Sequence, residues 1–163
     1  RSFSRLGEAE LKSVDIRENI DNTLQILTPQ LKNRIQVVKE YESVPNIVCF
    51  PSQINQVFMN IISNGAQAID GPGEIKIHVQ KLNEETIEIS ISDNGPGMDD
   101  HVLERIFEPF FTTKSQGEGT GLGLSISFGI IEKHEGQLIV ESQIGQGSKF
   151  IIRLPVGGPK SAH

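Results

Sequence analysis

The chain is short of the features that would place it outside the cell, in a membrane or on nucleic acid. It has one cysteine, Cys49, in 163 residues, so no internal disulfide can form and the composition suits a reducing compartment. Cys49 stands in the apolar stretch Ile47-Val48-Cys49-Phe50, the setting of core filler rather than of a reactive thiol. No apolar run approaches the roughly 18 residues of a membrane span. Arg1-Ser2-Phe3-Ser4-Arg5 lacks the apolar centre of a signal peptide. Positive charge is scarce: 15 Lys and Arg stand against 21 Asp and Glu, a net charge of −6, where a nucleic-acid binder would carry a basic patch. The expectation is a cytoplasmic domain that touches neither membrane nor nucleic acid. There is no internal repeat and no initiating methionine, as in a piece of a longer protein. What remains is ordinary: 36% hydrophobic and 22% charged residues, enough for one globular domain.

Periodicity gives the elements. Ile16, Ile20, Leu24, Leu27 and Leu31 recur at helical spacing, with Pro29 limiting regularity near the end. Ile35 to Tyr41 and Ile47 to Phe50 read as strands. A long helix opens at Pro51-Ser52 and ends at the turn Asp70-Gly71-Pro72-Gly73. Alternation over Ile75, Ile77, Val79 and again over Ile87, Ile89, Ile91 marks two half-buried strands around Asn83-Glu84-Glu85. A short helix is expected over 101–106, another over 121–134, and closing strands over 137–141 and 149–154. Strands in adjacent pairs with short turns predict an α+β, two-layer sandwich, its sheet mixed but mostly antiparallel with helices on one face. Residues 1–13 read as the end of a preceding helix and linker, 14–156 as the domain, and 157–163 as a disordered tail.

Four motifs stand out. Gly117 to Ser127 is a glycine-dense turn feeding an apolar-periodic segment. Glycine allows close backbone approach to an anion, and the first turn of a helix offers free N–H groups; the same glycines would also suit a plain loop. Asn60 and Asn64, four apart, share a face of the long helix, and an amide oxygen is a hard neutral ligand suited to Mg²⁺; two solvated asparagines would look the same. Asp93-Asn94-Gly95-Pro96-Gly97-Met98 puts a carboxylate at a strand end beside glycines that leave room for a flat base. It reads less well as a hairpin turn, because a helix follows. Phe107-Glu108-Pro109-Phe110-Phe111-Thr112-Thr113-Lys114 sets three aromatics, with Phe107 and Phe110 as expected anchors, beside a polar loop over 112–118 expected to act as a lid.

Taken together and in order, these motifs resemble the ATP-binding catalytic domain of sensor histidine kinases, in the GHKL superfamily that includes gyrase and MutL. Gln53 to Asn64 match the N box, Asp93 to Gly97 the first glycine box, Phe107 to Lys114 the F box, and Gly119 to Leu124 the second glycine box. Gly145-Gln-Gly-Ser-Lys-Phe150 and Leu154-Pro155 fit its close. The resemblance covers about Val14 to Pro155. It implies that Asp93 holds the adenine amine, with Gly95, Gly97 and Met98 around the base. It implies that Asn64 binds Mg²⁺ with Asn60 near it. Gly119, Thr120, Gly121, Leu122, Gly123 and Leu124 would wrap the phosphates, and Lys114 would reach them from the lid. Asn60 and Lys114 are the residues it assigns to catalysis, and Ser148 supports the adenine end. The implied cofactors are ATP and Mg²⁺. The implied partner is a histidine-bearing dimerisation domain of the same protein, a response regulator follows indirectly, and the parent would be a homodimer.

Two residues depart from the family pattern. Gly65 stands where Ala is usual, which is expected to loosen the helix, and Gln67 replaces a Lys or Arg that reaches phosphate in many relatives. None of the four histidines, His78, His101, His134 and His163, stands in the phosphoacceptor context of these kinases. His134-Glu135 looks like it but closes the phosphate-site helix. ATPase members carry Glu at the position of Asn60; an amide is a poor general base, which favours transfer to an outside histidine over an ATPase. A serine protein kinase domain is the remaining alternative.

Overall fold

Asp15 begins the first helix by accepting the Arg17 N–H at 3.0 Å, the usual way a carboxylate satisfies a free helix amide. That helix, α1 (Ile16–Ile26), buries Ile16, Ile20, Thr23 and Leu24. The apolar spacing continues to Leu31, but the helix does not. It breaks at Leu27, and a separate turn, α2 (Thr28–Leu31), carries Pro29 in its first turn, where its missing N–H costs nothing. A computed structural model describes residues 10–111 and 123–160.

The remaining elements are β1 (Lys12–Val14), β2 (Ile35–Tyr41), β3 (Ile47–Cys49), α3 (Pro51–Ala68), β4 (Gly73–Asn83), β5 (Thr86–Asp93), α4 (Asp100–Leu103), α5 (Gly123–Lys133), β6 (Gln137–Gln143) and β7 (Gly147–Pro155). The main sheet has the order β2-β4-β5-β7-β6, with β2 parallel to β4 and the other pairs antiparallel. This is the expected α+β architecture with a mixed, mostly antiparallel sheet. The pairing of the early strands differs from the sequence expectation. β2 and β3 are not partners: β3 pairs antiparallel with β1, and β2 joins β4 across the α3 crossover. Lys12 and Ser13 therefore pair with Cys49 and Val48. Alternation within 12–14 is too short to register as a strand.

Ile75, Ile77 and Val79 of β4 and Ile87, Ile89 and Ile91 of β5 are buried on one face, with Ile54, Val57, Phe58, Ile61 and Ile62 of α3 in the same core. Each such side chain stabilises the fold by about 1.5–3 kcal/mol before entropy is counted. The C-terminus of α3 is closed by Arg34, whose guanidinium donates to the carbonyls of Ala66 (2.9 Å), Ile69 (2.9 Å) and Gly71 (3.2 Å). These carbonyls have no partner within the helix. Gly65 does not interrupt α3, which runs unbroken to Ala68.

The segment from Gly157 is not disordered up to Lys160. Gly158 (φ +82°) lies against the Val48 carbonyl, Pro159 is buried, and the Lys160 N–H donates to Glu135 Oε1 at 2.9 Å. Polar, glycine-rich composition hid a strap whose contacts are largely backbone. Residues 161–163 lie outside the described residues. Of the two expected aromatic anchors, Phe107 stacks on Phe128 with ring centroids 5.0 Å apart. Phe110 does not anchor: it is 73% exposed with a left-handed backbone (φ 69°). Phe111 takes the inward place, with the Arg105 guanidinium 4.6 Å from its ring. The short helix also stops early, at Leu103.

Candidate functional site

The site is built where the end of β5 meets α3. Strand alternation turns Ile87, Ile89 and Ile91 toward the helices, and Asp93 follows them in phase. A carboxylate thus takes the place of the next isoleucine. Its Oδ1 accepts the Gly95 N–H at 2.9 Å, and the Ser148 N–H bonds it from β7. Burial nonetheless raises the carboxyl above its ordinary value, against the downward pull of those two donors. No cation faces Asp93 among the described residues. A half-buried carboxylate held by backbone alone costs the fold stability, and such residues cluster at functional sites.

The glycines beside Asp93 have roles the sequence only partly shows. A Cβ on Gly65 would lie 3.4 Å from Asp93 Oδ2, so the departure from Ala leaves the carboxylate open space on the helix side. Gly97 (φ +76°) is needed for a different reason than room for a base. A Cβ there would sit 2.0 Å from the Gln143 carbonyl oxygen, so the 93–98 loop is pressed against the β6–β7 hairpin. Gly147 (φ +84°) approaches from the other side, its absent Cβ 1.9 Å from the Asp93 carbonyl oxygen. Gly145 N–H donates to Pro96 O at 2.7 Å, and Met98 N–H to Ser142 Oγ at 2.7 Å. A cleft of about 590 Å³ opens beside Asp93, Ser142 and Ser148. It wraps the sheet end and takes in Ser92 and Lys149 on the opposite face, so only its Asp93–Ser148 edge belongs to this site.

Asn60 and Asn64 are on one face of α3, as their spacing requires, but they are not used alike. Asn60 Nδ2 donates to Gly123 O (2.9 Å) and Ser127 Oγ (3.1 Å), while its Oδ1 accepts from Gln56 (2.8 Å). Its amide ties α3 to the start of α5. Asn64 is half-buried and has no side-chain partner among the described residues. Gln67 is exposed and donates to Ser63 Oγ at 3.2 Å. Gly123 and Leu124 form the first turn of α5. Lys114, Gly119, Thr120, Gly121, Leu122 and the expected lid over 112–118 lie outside the described residues. Among those described, no cluster of three or more His, Cys, Asp or Glu could hold a metal, and no helix is long and apolar enough to cross a membrane.

A model of the histidine kinase-, DNA gyrase B- and HSP90-like ATPase family matches residues 50–158. The chain belongs to that family. Within it, this ATPase-type domain is 40% identical to sporulation kinase E of Bacillus subtilis over 137 residues, covering 83% of the chain and 18% of the relative. It is 37% identical to the sensor histidine kinase ZraS of Escherichia coli over 148 residues, covering 90% and 31%. The chain therefore spans less than a third of these curated relatives. Among solved structures, the catalytic domain of histidine kinase ThkA superposes with a TM-score of 0.82 at 30% identity, covering 91% of this chain and 97% of that one. Full-length ShkA in complex with AMPPNP gives 0.82 at 26%, covering 96% and 34%. The chain is thus similar to sensor histidine kinases of which it spans one part, and to the catalytic domain of one of them.

Two further residues of this ATPase-family domain escaped the sequence reading. Ser142 carried no motif, yet hairpin register alone pairs it with Ser148 across Gly145-Gln146-Gly147. His134 looked like a decoy phosphoacceptor and is instead a latch, 1% exposed. Its Nε2 lies 3.1 Å from the Phe50 N–H and its Nδ1 2.8 Å from Ile130 O. An amide can only donate and a carbonyl only accept, so the ring is the neutral Nδ1–H tautomer. It joins the end of α5 to the start of α3. Burial first, then the charge of Lys133, lower its pKa, outweighing the contribution of Ile130 O. The unfolded chain then binds this proton more readily than the fold does, so stability falls as pH drops below about 6.5. Urea midpoints measured from about pH 7.5 to about pH 5.5 are expected to decline in the wild type and to decline less in His134→Gln. Parallel pH profiles would show that His134 is not the titrating group.

Proposed function

We propose that the domain binds Mg²⁺·ATP at the Asp93 edge and passes the γ-phosphoryl group to a histidine on a separate dimerisation domain of the same protein. One observation carries this reading: Asp93 is desolvated, faces no cation among the described residues and is held by backbone N–H groups beside open space. That arrangement fits an exocyclic amine donating to a carboxylate. Gly95, Gly97 and Met98 shape the loop beneath the base, and Ser148 flanks it. The free amide of Asn64 fits Mg²⁺, which takes one or two protein oxygens and completes its shell with phosphates and water. The metal would neutralise phosphate charge. Leu124 and Gly123, at the opening of α5, lead in from the Gly119–Leu122 box, and Lys114 supplies a further positive charge.

Phosphoryl transfer depends mainly on positioning and charge neutralisation. The bond from the γ-phosphorus to the bridging oxygen breaks, ADP leaves, a phosphorus–nitrogen bond forms on the unprotonated nitrogen of a neutral imidazole, and the proton on its other nitrogen is released to water. Asn60 works in this scheme by holding α5 against α3, so its catalytic assignment becomes a positioning one. It bears no carboxylate to activate water, which disfavours the ATPase reading. The acceptor is not His134, which is buried, nor His78, which lies inside strand β4 rather than on a helix. A histidine brought close on a dimerising helix gains the effective concentration the reaction needs. A homodimeric parent, a response regulator downstream and a cytoplasmic site complete the reading.

Incubation with γ-labelled ATP tests it. The chain alone is expected to bind ATP and stay unlabelled; with the dimerisation domain added, acid-labile, base-stable label appears on that domain. Acid-labile label on this chain alone, or brisk hydrolysis, would overturn the proposal. For the metal, Asn64→Ala is expected to remove much of the Mg²⁺ dependence of ATP affinity in calorimetric titrations, and superimposable Mg²⁺ curves would exclude Asn64 as the ligand.

A further inference from the structure

The hydroxyl of Ser142 sits among three partners whose chemistry leaves little freedom. It lies 2.7 Å from the Met98 N–H, 2.9 Å from the Gly147 carbonyl oxygen and 2.8 Å from Ser148 Oγ. A serine hydroxyl has one proton and two lone pairs. The Gly147 carbonyl can only accept, so it takes the proton. The Met98 amide can only donate, so it takes one lone pair. The remaining neighbour, Ser148, must then donate its own proton into the second lone pair. Ser148 Oγ is left with lone pairs alone.

Ser148 stands opposite Asp93 in the β5–β7 register, and both border the cleft. The edge facing the nucleotide therefore offers a carboxylate and a proton-depleted hydroxyl, both acceptors. We propose that Ser142 is a positioning residue that sets the purine preference: by drawing the Ser148 proton away from the site, it makes this edge accept an exocyclic amine and reject a carbonyl. The inference rests on the reading of Asp93 as the base-binding carboxylate. Without Ser142, the Ser148 hydroxyl is free to rotate and donate, and a purine bearing a carbonyl at the same position loses much of its handicap.

The probes are ATP and inosine triphosphate, which differ at that position in an amine against a carbonyl. Affinities are measured by calorimetry on the whole chain. Wild type is expected to prefer ATP. Ser142→Ala is expected to shrink the preference about fivefold or more, the worth of roughly one neutral hydrogen bond. Ser142→Thr, which keeps the hydroxyl, restores it. In the Ser148→Ala background, Ser142→Ala no longer changes the ratio, because the proton it controls is gone. A purely structural serine would weaken both nucleotides together; an unchanged ratio in Ser142→Ala overturns the proposal. If that variant does not fold, Ser142→Cys, whose sulfur is a weak acceptor, carries the same test. Wild type that binds neither nucleotide would defeat the ATP-site reading itself, whereas an ATP preference that survives Ser142→Ala defeats only the role of Ser142.

Discussion

Asp93→Ala is expected to weaken ATP binding by at least about tenfold in calorimetric titrations, the loss of one hydrogen bond to a charged acceptor. Asp93→Asn should lose affinity as well, because an amide cannot offer two acceptor oxygens to the amine, yet the two variants part company in stability. Burial raises the carboxyl of Asp93 above its unfolded value. A carboxyl shifted upward favours the fold when protonated and costs stability as pH rises through its folded pKa. Once ionised, the group is one that its surroundings disfavour. Asparagine keeps an oxygen for the Gly95 N–H and removes that charge, so Asp93→Asn is expected to melt no lower than wild type at pH 7 while binding ATP poorly. ATP affinity of the wild type should also fall on mild acidification, earlier than for an ordinary aspartate. Unchanged ATP affinity in Asp93→Ala would remove the residue from the site. A much lower melting point for Asp93→Asn would make it structural.

Gly97→Ala is expected to destabilise the domain by at least about 3 kcal/mol and to abolish measurable ATP binding, read by urea denaturation and calorimetry. Two costs combine. The left-handed backbone at φ +76° disfavours any Cβ, and the Cβ would lie 2.0 Å from Gln143 O and 2.7 Å from its carbon. Neither atom can yield without moving the β6–β7 hairpin. Gly71 separates the two costs: its φ is +86°, but nothing lies within 4 Å of a Cβ there. Gly71→Ala should cost only the backbone term, about 1 kcal/mol, and leave ATP binding intact. Similar losses in both variants would mean that the hairpin contact contributes little.

Local patterns made the middle of the molecule legible from sequence. The Ile75–Val79 and Ile87–Ile91 alternations and the apolar stripe of α3 each follow from a period of two or 3.6, and the structure keeps them. What failed were relationships between distant segments. β1 is three residues long, too short for a period, and exists because β3 offers it a partner. The segment after Gly157 looks like a tail until Val48 and Glu135 are placed beside it. Phe107 and Phe110 share a sequence context, and only the positive φ of Phe110 turns it outward. In the site, Asp93 was readable because a charge at an inward strand position has no ordinary excuse. The reason for Gly97 was not, since its steric partner, Gln143, is remote in sequence. Ser142 was invisible as a serine among exposed polar residues and meaningful only through three hydrogen bonds.

The pairing pattern of the sheet also orders its assembly. β4–β5 and β6–β7 are joined by tight turns, so their loops close cheaply and fast. The parallel β2–β4 pair brings Ile35 against Gly73 with the whole of α3 between them, a late, entropically costly closure. The edge that carries Asp93 lies where the two quick hairpins meet, and its pairing with Ser148 closes a longer stretch of chain than the β2–β4 pair does. Asp93 and Asn64 therefore both reach their places only through a long-range closure, and neither hairpin alone assembles that edge.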